Sequence, residues 1–316
     1  MIKVSTTGMA VSLKTDLRFP ESGQHGHGSR IIQMVQKRRR RRRRRKIQVL
    51  KCIVFLGIIV FISCMGVYFY RIYKDTQLQN MVDQTVENGD MMGTLQKMSN
   101  YDSRIKDIIE NQDQYPKELL ELLTANIETI EFVFDYPEKK DNLPATIVEE
   151  AKSGEIPLLL QWDERWGYQN YGDGMLAVNG CGPTALSMVI VGLTGNKQAT
   201  PYQVAQYAEQ NGYYVEGVGS SWSMITDIGS HFGIQGREIS LDKDNIQTEL
   251  ESGHPIICAM RPGDFTTTGH FIVLTGMKDG KICVHDPNSK KRSEKLWDYE
   301  TLEGQINNLW SFTTLF

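Results

Sequence analysis

The sequence predicts an α+β fold with a largely antiparallel sheet, preceded by one transmembrane helix and a helical stalk. Three observations carry this expectation. A charge-free apolar segment lies near the amino terminus, segments with helical apolar spacing come after it, and the carboxy-terminal part breaks into short β-branched or aromatic runs separated by turns. Helices grouped before strands point to α+β rather than to alternating βαβ units.

The apolar segment is CIVFLGIIVFISCMGVYFY, residues 52–70, nineteen positions without a charge. At about 1.5 Å per residue it nearly spans a hydrocarbon core of about 30 Å. Ten consecutive cations, Lys37 to Lys46, precede it, and only Arg71 and Lys74 stand close behind it. The positive-inside bias therefore keeps the amino terminus cytoplasmic and exports the chain beyond residue 74, a single-pass arrangement in the cell membrane. Residues 1–46 hold 14 Lys or Arg against 2 Asp or Glu, whereas residues 75–316 hold 18 against 36. The cationic run also has a reading as a patch for nucleic acid or acidic lipid. It abuts the apolar segment and lacks interleaved aromatics or a fold to present it, so topology is preferred and no nucleic-acid partner is expected. A cleaved signal peptide is disfavoured by the length of the basic region and the absence of a small-x-small site. The tetrad FISC raises a variant in which Cys64 is a lipid anchor; Phe61 at its first position and the charge-free continuation to Tyr70 favour an intact span.

The expected organisation is a cytoplasmic basic tail (1–46), a membrane helix (47–72), a stalk or linker (73–110), a helical lead-in (111–155) and a main domain (156–316). Residues 75–110 are polar and show no clean apolar stripe, which suits a stalk or a loosely helical spacer. Leu119, Leu123, Ile127, Ile130 and Phe134 recur near helical spacing after Pro116, which predicts a helix over about 116–131. In the main domain IPLLLQW reads as a strand, GCGPTALSMVIVGL as a buried helix, and PYQVAQYAEQNG and WSMITDIGSHFG as two further helices. GREISL, HPIICAM, HFIVLTGM, KICVHD and NLWSFTTLF read as strands.

Outside the membrane segment stand Cys181, Cys258 and Cys283, an odd number, which leaves at least one free thiol or an intermolecular bridge. Cys258 and Cys283 suit apolar filler in strands. Cys181 lies between Gly180 and Gly182 and before Pro183, a residue suited to an opening helical turn. At a helix amino terminus the free N–H groups and the dipole favour an anion, so a thiol there is drawn toward thiolate, more so beside an imidazolium. A buried capping cysteine is the bland alternative.

A nucleophile needs a base. His25 and His27 fall in the cytoplasmic tail, His231 ends a helix and His254 precedes a proline; His270 opens a strand, and Asp286 closes the next. A two-residue turn at Asp279-Gly280 would put His270 and Asp286 on opposite faces. A three-residue loop, Lys278-Asp279-Gly280, pairs 270 with 288, makes Asp286 a diagonal neighbour of His270 and turns His285 away. That loop is the expectation. The Cys181 backbone N–H and the Gln161 side chain are the candidate donors to an oxyanion. No HExxH motif and no Cys/His quartet of zinc spacing occurs, so neither metal nor cofactor is invoked.

Taken together, IPLLLQWDERWG, GCGPTALSMV, GHPIICAM with GHFIVLTG, and VHDPN resemble the papain-fold cysteine peptidases of the bacteriocin-processing, peptidase C-thirty-nine-like kind, in its stand-alone branch. The matching pieces run from about residue 156 to 288 in the family order Gln, Cys, His, Asp. The segment YPKELLELLTANIETIEFVFDYP also resembles the helix that precedes such domains. The resemblance implies a papain-like fold, with the helix bearing the nucleophile packed on an antiparallel sheet. It also implies a thiol peptidase or amidase in which Cys181 attacks, His270 moves the proton, Asp286 orients the imidazole and Gln161 supports the oxyanion. The expected partners are peptides, proteins or cell-wall stem peptides. Two departures matter: leader-trimming members are usually fused to a transporter, and the gap from Gln161 to Cys181 is longer than theirs. A noncatalytic peptide- or cell-wall-binding module and a thiol acyltransferase are the alternatives on the same fold.

Overall fold

The computed structural model describes residues 27–86 and 90–315. The start of the basic tail, including His25, lies outside the described residues. The chain divides into two compact units, residues 1–72 and 73–316.

The first unit contains most of helix α1 (His27–Val86). Within it, Gln48–Lys74 has a mean hydropathy of 2.6 and is the one helix among the described residues long and apolar enough to cross a membrane. Its large apolar side chains, among them Phe55, Phe61, Ile62 and Phe69, stand exposed. A helix apolar on every side and exposed along its length suits lipid.

The second unit opens with helices α2 (Met91–Met98), α3 (Ser103–Glu110), α4 (Lys117–Ala125) and α5 (Ile130–Phe134). Residues 91–110, expected as part of a stalk or loosely helical spacer, form the first two of these and pack into a core. Asp90 caps α2 by accepting from the Gly93 N–H, and Asp102 caps α3 by accepting from the Arg104 N–H. Their apolar residues are few, yet Leu95, Met98, Ile105 and Ile108 are fully buried. They join Leu119, Leu123, Phe132 and Val133 and, from the main domain, Leu160, Trp162, Tyr168 and Met175 in one core. Phe132 stacks on Tyr168 with ring centroids 4.2 Å apart. The single helix expected over 116–131 is two, broken at Asn126. That residue is extended (φ −145°, ψ 100°), and its side chain accepts from the Glu128 N–H, restarting the chain in a new turn.

The segment IPLLLQ is not a strand of the sheet: residues 156–160 have no regular secondary structure and Gln161 begins a turn. Pro157 lacks an N–H for a ladder, and successive side chains serve different cores: Leu159 enters the central one and Leu160 the one beneath α2–α5. The main sheet has six strands: β1 (Ile234–Glu238), β2 (Ile256–Met260), β3 (His270–Lys278), β4 (Lys281–His285), β5 (Leu296–Trp297) and β6 (Ile306–Thr314). Their spatial order is β1-β6-β2-β3-β4-β5, antiparallel throughout. The period of two divides its side chains. Ile257, Ala259, Phe271, Val273, Trp310 and Phe312 face one core, while Ile256, Cys258, Ile272, Leu274 and Leu309 face another.

Against the first face packs α6 (Cys181–Thr194), followed by α7 (Pro201–Gln210). Helix α6 is apolar on all sides and nearly all buried, the mark of a central core helix. Gly195, in the left-handed conformation at φ 70°, ends it. The second face is covered by α8 (Lys243–Glu251) through Ile246 and Leu250, a helix the apolar spacing did not announce. The fold is thus α+β, with the cysteine-bearing helix laid on an antiparallel sheet.

Candidate active site

Helix α6 begins at Cys181. Gly180 precedes it at φ −92°, ψ 15°, donating its N–H to the Leu176 carbonyl at 2.8 Å. A Cβ at Gly180 would lie 2.4 Å from that same carbonyl oxygen, so the tight approach into the helix requires glycine. Cys181 as a residue is half-buried, and all three cysteines of the second unit are free. Cys258 and Cys283 sit in β2 and β4 as expected of apolar filler.

His270 opens β3 and Asp286 comes directly after β4, but the hairpin between them differs from the expected one. Lys278 pairs with Lys281, so the turn has two residues, Asp279 at φ 53° and Gly280 at φ 73°. Two consecutive left-handed residues match the twist of the flanking strands, which is why Asp-Gly closes here without a third residue. The missing residue appears further down. Between Leu274 and Gly276 the register slips, with Thr275 as the extra residue, and beyond it Val273 pairs with His285. The bulge restores the parity that the three-residue loop was to supply. Asp286 therefore shares a face with His270, and His285 turns away. His285 is pushed down by burial, with a hydrogen bond to the Pro157 carbonyl opposing that.

The structure brings Cys181, His270 and Asp286 together. His270 Nε2 lies 2.7 Å from Asp286 Oδ1. An ionised carboxylate only accepts, so Nε2 carries the proton and Nδ1 is left for the sulfur. Asp286 is fully buried and also accepts from the Asn288 N–H at 2.7 Å and from Arg292 Nε. Burial raises this carboxyl, but the charge and hydrogen bond of His270 and then those of Arg292 outweigh it and hold it below the usual range. For His270, burial favours the neutral ring; the charge and hydrogen bond of Asp286, followed by Cys181, overcome it and lift the imidazole to about 9. The Cys181 thiol is raised by burial and lowered by the hydrogen bond and charge of His270, with the Phe271 and Gly182 N–H groups helping; the balance leaves it below its ordinary value. Gly182 belongs to the first turn of α6, so the helix terminus acts directly on the sulfur. Such a set can store a thiolate beside an imidazolium.

Arg292 is a site residue that the sequence patterns do not reveal. It lies in the short helix α9 (Lys290–Glu294), with Lys290, Lys291 and Glu294 beside it in a spacing that does not single out one residue. Only the turn 286–289 aims it back at Asp286.

Gln161 is buried, and despite the intervening chain its amide meets the turn that leads into Cys181. The excursion closes on itself: Trp166 Nε1 donates to the Leu160 carbonyl, the Leu176 N–H to Gln169, and the Ala177 N–H to Gly167. Gln161 Nε2 then donates to the carbonyls of Ala177 at 2.7 Å and Val178 at 3.2 Å, on the turn that enters Cys181. Its own N–H donates to Pro287 at 2.8 Å, next to Asp286. The other histidines are placed elsewhere: His254 Nδ1 is 3.0 Å from Glu249, and His231 stacks on Tyr207. Among the described residues no group of three or more His, Cys, Asp or Glu is arranged to hold a metal ion.

Solved structures similar to this chain include two peptidase structures. One is the peptidase domain of Streptococcus ComA, a bi-functional ABC transporter involved in quorum sensing, with 18% identity and a TM-score of 0.34, covering 43% of this chain and 92% of that one. The other is a C39-like peptidase from Bacillus anthracis, with 12% identity and a TM-score of 0.30, covering 53% and 98%. No curated protein matches. The family model described as the Peptidase C39-like family matches residues 154–314, half of the chain and all of the sheet with its cysteine helix, so the chain belongs to the Peptidase C39-like family of cysteine peptidases.

Proposed function

We propose that this protein is a membrane-anchored, extracytoplasmic cysteine peptidase that hydrolyses peptide or amide bonds through Cys181, His270 and Asp286. The observation that carries the reading is the Cys181 thiol at the start of its helix, lowered by the His270 imidazole that Asp286 holds at 2.7 Å. The Cys181 thiolate attacks the scissile carbonyl carbon, and the oxyanion is met by the Cys181 N–H and by Gln161. The Gln161 amide takes this role by exchanging its longer bond, to Val178 at 3.2 Å, for the oxyanion. Collapse breaks the C–N bond, and the His270 proton passes to the leaving amine, giving a thioester. Water, deprotonated by His270, then releases the acid and restores the thiol.

Support for the anchor is the apolar span within Gln48–Lys74, and the cations Lys37 to Lys46 before it support a cytoplasmic amino terminus. Peptides, proteins or cell-wall stem peptides are the substrates of this reading. The test is cleavage of a peptide library by the full chain in detergent, with Cys181→Ala and His270→Ala beside it. Hydrolysis is expected from the wild type alone; equal products from Cys181→Ala would sink the assignment. Product analysis with added amines separates hydrolysis from acyl transfer. Protease shaving of intact cells tests the orientation, with residues 90–315 expected to be the accessible part.

A further inference from the structure

The turn that carries Asp286 is held from outside the matched domain. Asn126 and Glu128, at the break between α4 and α5, reach across about 160 residues of chain to residues 288–291. Asn126 Nδ2 donates to the Asn288 carbonyl at 2.5 Å and to Asn288 Oδ1 at 3.2 Å. The Glu128 carboxylate accepts from the Ser289 hydroxyl, from the Lys290 N–H at 2.8 Å and from the Lys291 N–H at 3.3 Å. Trp162 Nε1 adds a second donor to the Asn288 carbonyl at 3.1 Å. Besides His270, the groups that position Asp286 lie on the held turn and on the helix α9 that it starts: the Asn288 N–H on Oδ1, the Ser293 hydroxyl on the Asp286 N–H, and Arg292 on Oδ2. Asn126 is itself buried and fixed, because its side-chain oxygen accepts from the Glu128 N–H and its backbone carbonyl from the Thr129 hydroxyl. Beneath it lies the core shared by α2–α5 and residues 160–177.

We propose that Asn126 and Glu128 are positioning residues for Asp286, so that the helical lead-in is a working part of the active site rather than a spacer. The inference rests on the peptidase reading for its chemical meaning, while its geometry stands separately. The lead-in acts through two further links. It fixes the turn 286–289, and that turn fixes the carboxylate; the carboxylate in turn keeps His270 charged and aimed at Cys181. The charged groups facing this path are His270 and Arg292 on Asp286, and Glu128 on the start of α9. Releasing the turn lets Asp286 drift, and an imidazole that loses a fixed carboxylate loses charge.

The test uses the full chain in detergent and reads the pH midpoint of iodoacetamide labelling at Cys181 by peptide mass spectrometry, which separates that thiol from the other cysteines. Asn126→Ala and the isosteric Glu128→Gln are compared with wild type, with Glu128→Asp as the conservative rescue. Circular dichroism melting shows which variants are folded. The expected result is a rise of the Cys181 midpoint by about one pH unit in Glu128→Gln. Asn126→Ala should move it in the same direction, and Glu128→Asp should return part of the way. Peptide hydrolysis, where the wild type shows it, should fall about 10- to 100-fold with the midpoint. A Cys181 midpoint unchanged in folded Glu128→Gln overturns the proposal, since a merely structural contact lowers the melting temperature without touching the thiol. If the midpoint shifts but the wild type hydrolyses nothing, the peptidase reading fails and the positioning role stands.

Discussion

Replacing Asp286 by Asn removes a charge while keeping the side chain's shape; the one oxygen that remains can accept from the Asn288 N–H or from Arg292 Nε, but not hold both as the two carboxylate oxygens do. His270 sits at about 9 against an ordinary 6.5. At about 1.4 kcal/mol per unit, that is about 3 kcal/mol in favour of the imidazolium, shared between Asp286 and Cys181 with Asp286 the larger contributor. Without the carboxylate, burial acts against Cys181 alone, and the imidazole should fall by about two units. Amine departure needs the imidazolium, so the basic limb of kcat/KM for a cleaved peptide should move from about 9 to about 7, with a loss of about 10- to 100-fold near pH 8. Measured over roughly pH 5 to 10 on the full chain, a basic limb that stays at the wild-type position would refute the claim that Asp286 sets the charge of His270. Stability carries the same signature. The raised His270 contributes stability that is complete below about 6.5 and lost as pH rises through about 9. The lowered Asp286 contributes stability present above the usual carboxylate value and lost as pH falls through its folded one. Asp286→Asn should therefore be less stable than wild type at neutral pH and less sensitive to acid.

Three further outcomes are expected. Gln161→Ala should lower kcat about 100-fold with KM nearly unchanged, and steady-state kinetics showing an effect on KM alone would remove Gln161 from the oxyanion. Gly180→Ala forces a methyl to 2.4 Å from the Leu176 carbonyl. The strain should cost about 1–3 kcal/mol and slow Cys181 labelling; a melting temperature equal to wild type would mean the turn relaxes freely. Phe132→Ala empties a site that is 2% exposed and stacked on Tyr168. Urea unfolding should show a loss of about 3–5 kcal/mol in a single transition, and a separate early transition would show that the lead-in unfolds independently of the main domain.

What the sequence conveys about the site depends on how local each signal is. Cys181 is legible because glycine, cysteine and proline at a helix start each have a local conformational reason to be there. The pairing of His270 with Asp286 is legible too, but through the wrong turn. Counting residues gives parity, and parity cannot say whether the extra residue sits in the loop or as the Thr275 bulge within the strand. Asp279 at positive φ is a cost the chain accepts for strand twist, and that preference decides the turn. The spacer reading of residues 91–110 fails for a different reason. A short amphipathic helix that buries only two residues, as α3 does with Ile105 and Ile108, leaves too faint a stripe among polar neighbours.

The sequence by itself determined the long apolar segment and its flanking cations, the cysteine at a helix start, the helices-then-strands order and the chain order of Gln161, Cys181, His270 and Asp286. Each of these is a property of composition or of short-range periodicity. Tertiary structure alone decided that Arg292, rather than its cationic neighbours, meets Asp286, that the Gln161 amide lands on the turn before Cys181, and that Asn126 and Glu128 close on residues 288–291. Those contacts join segments far apart in the chain, and their geometry depends on how whole cores pack, which no local pattern encodes.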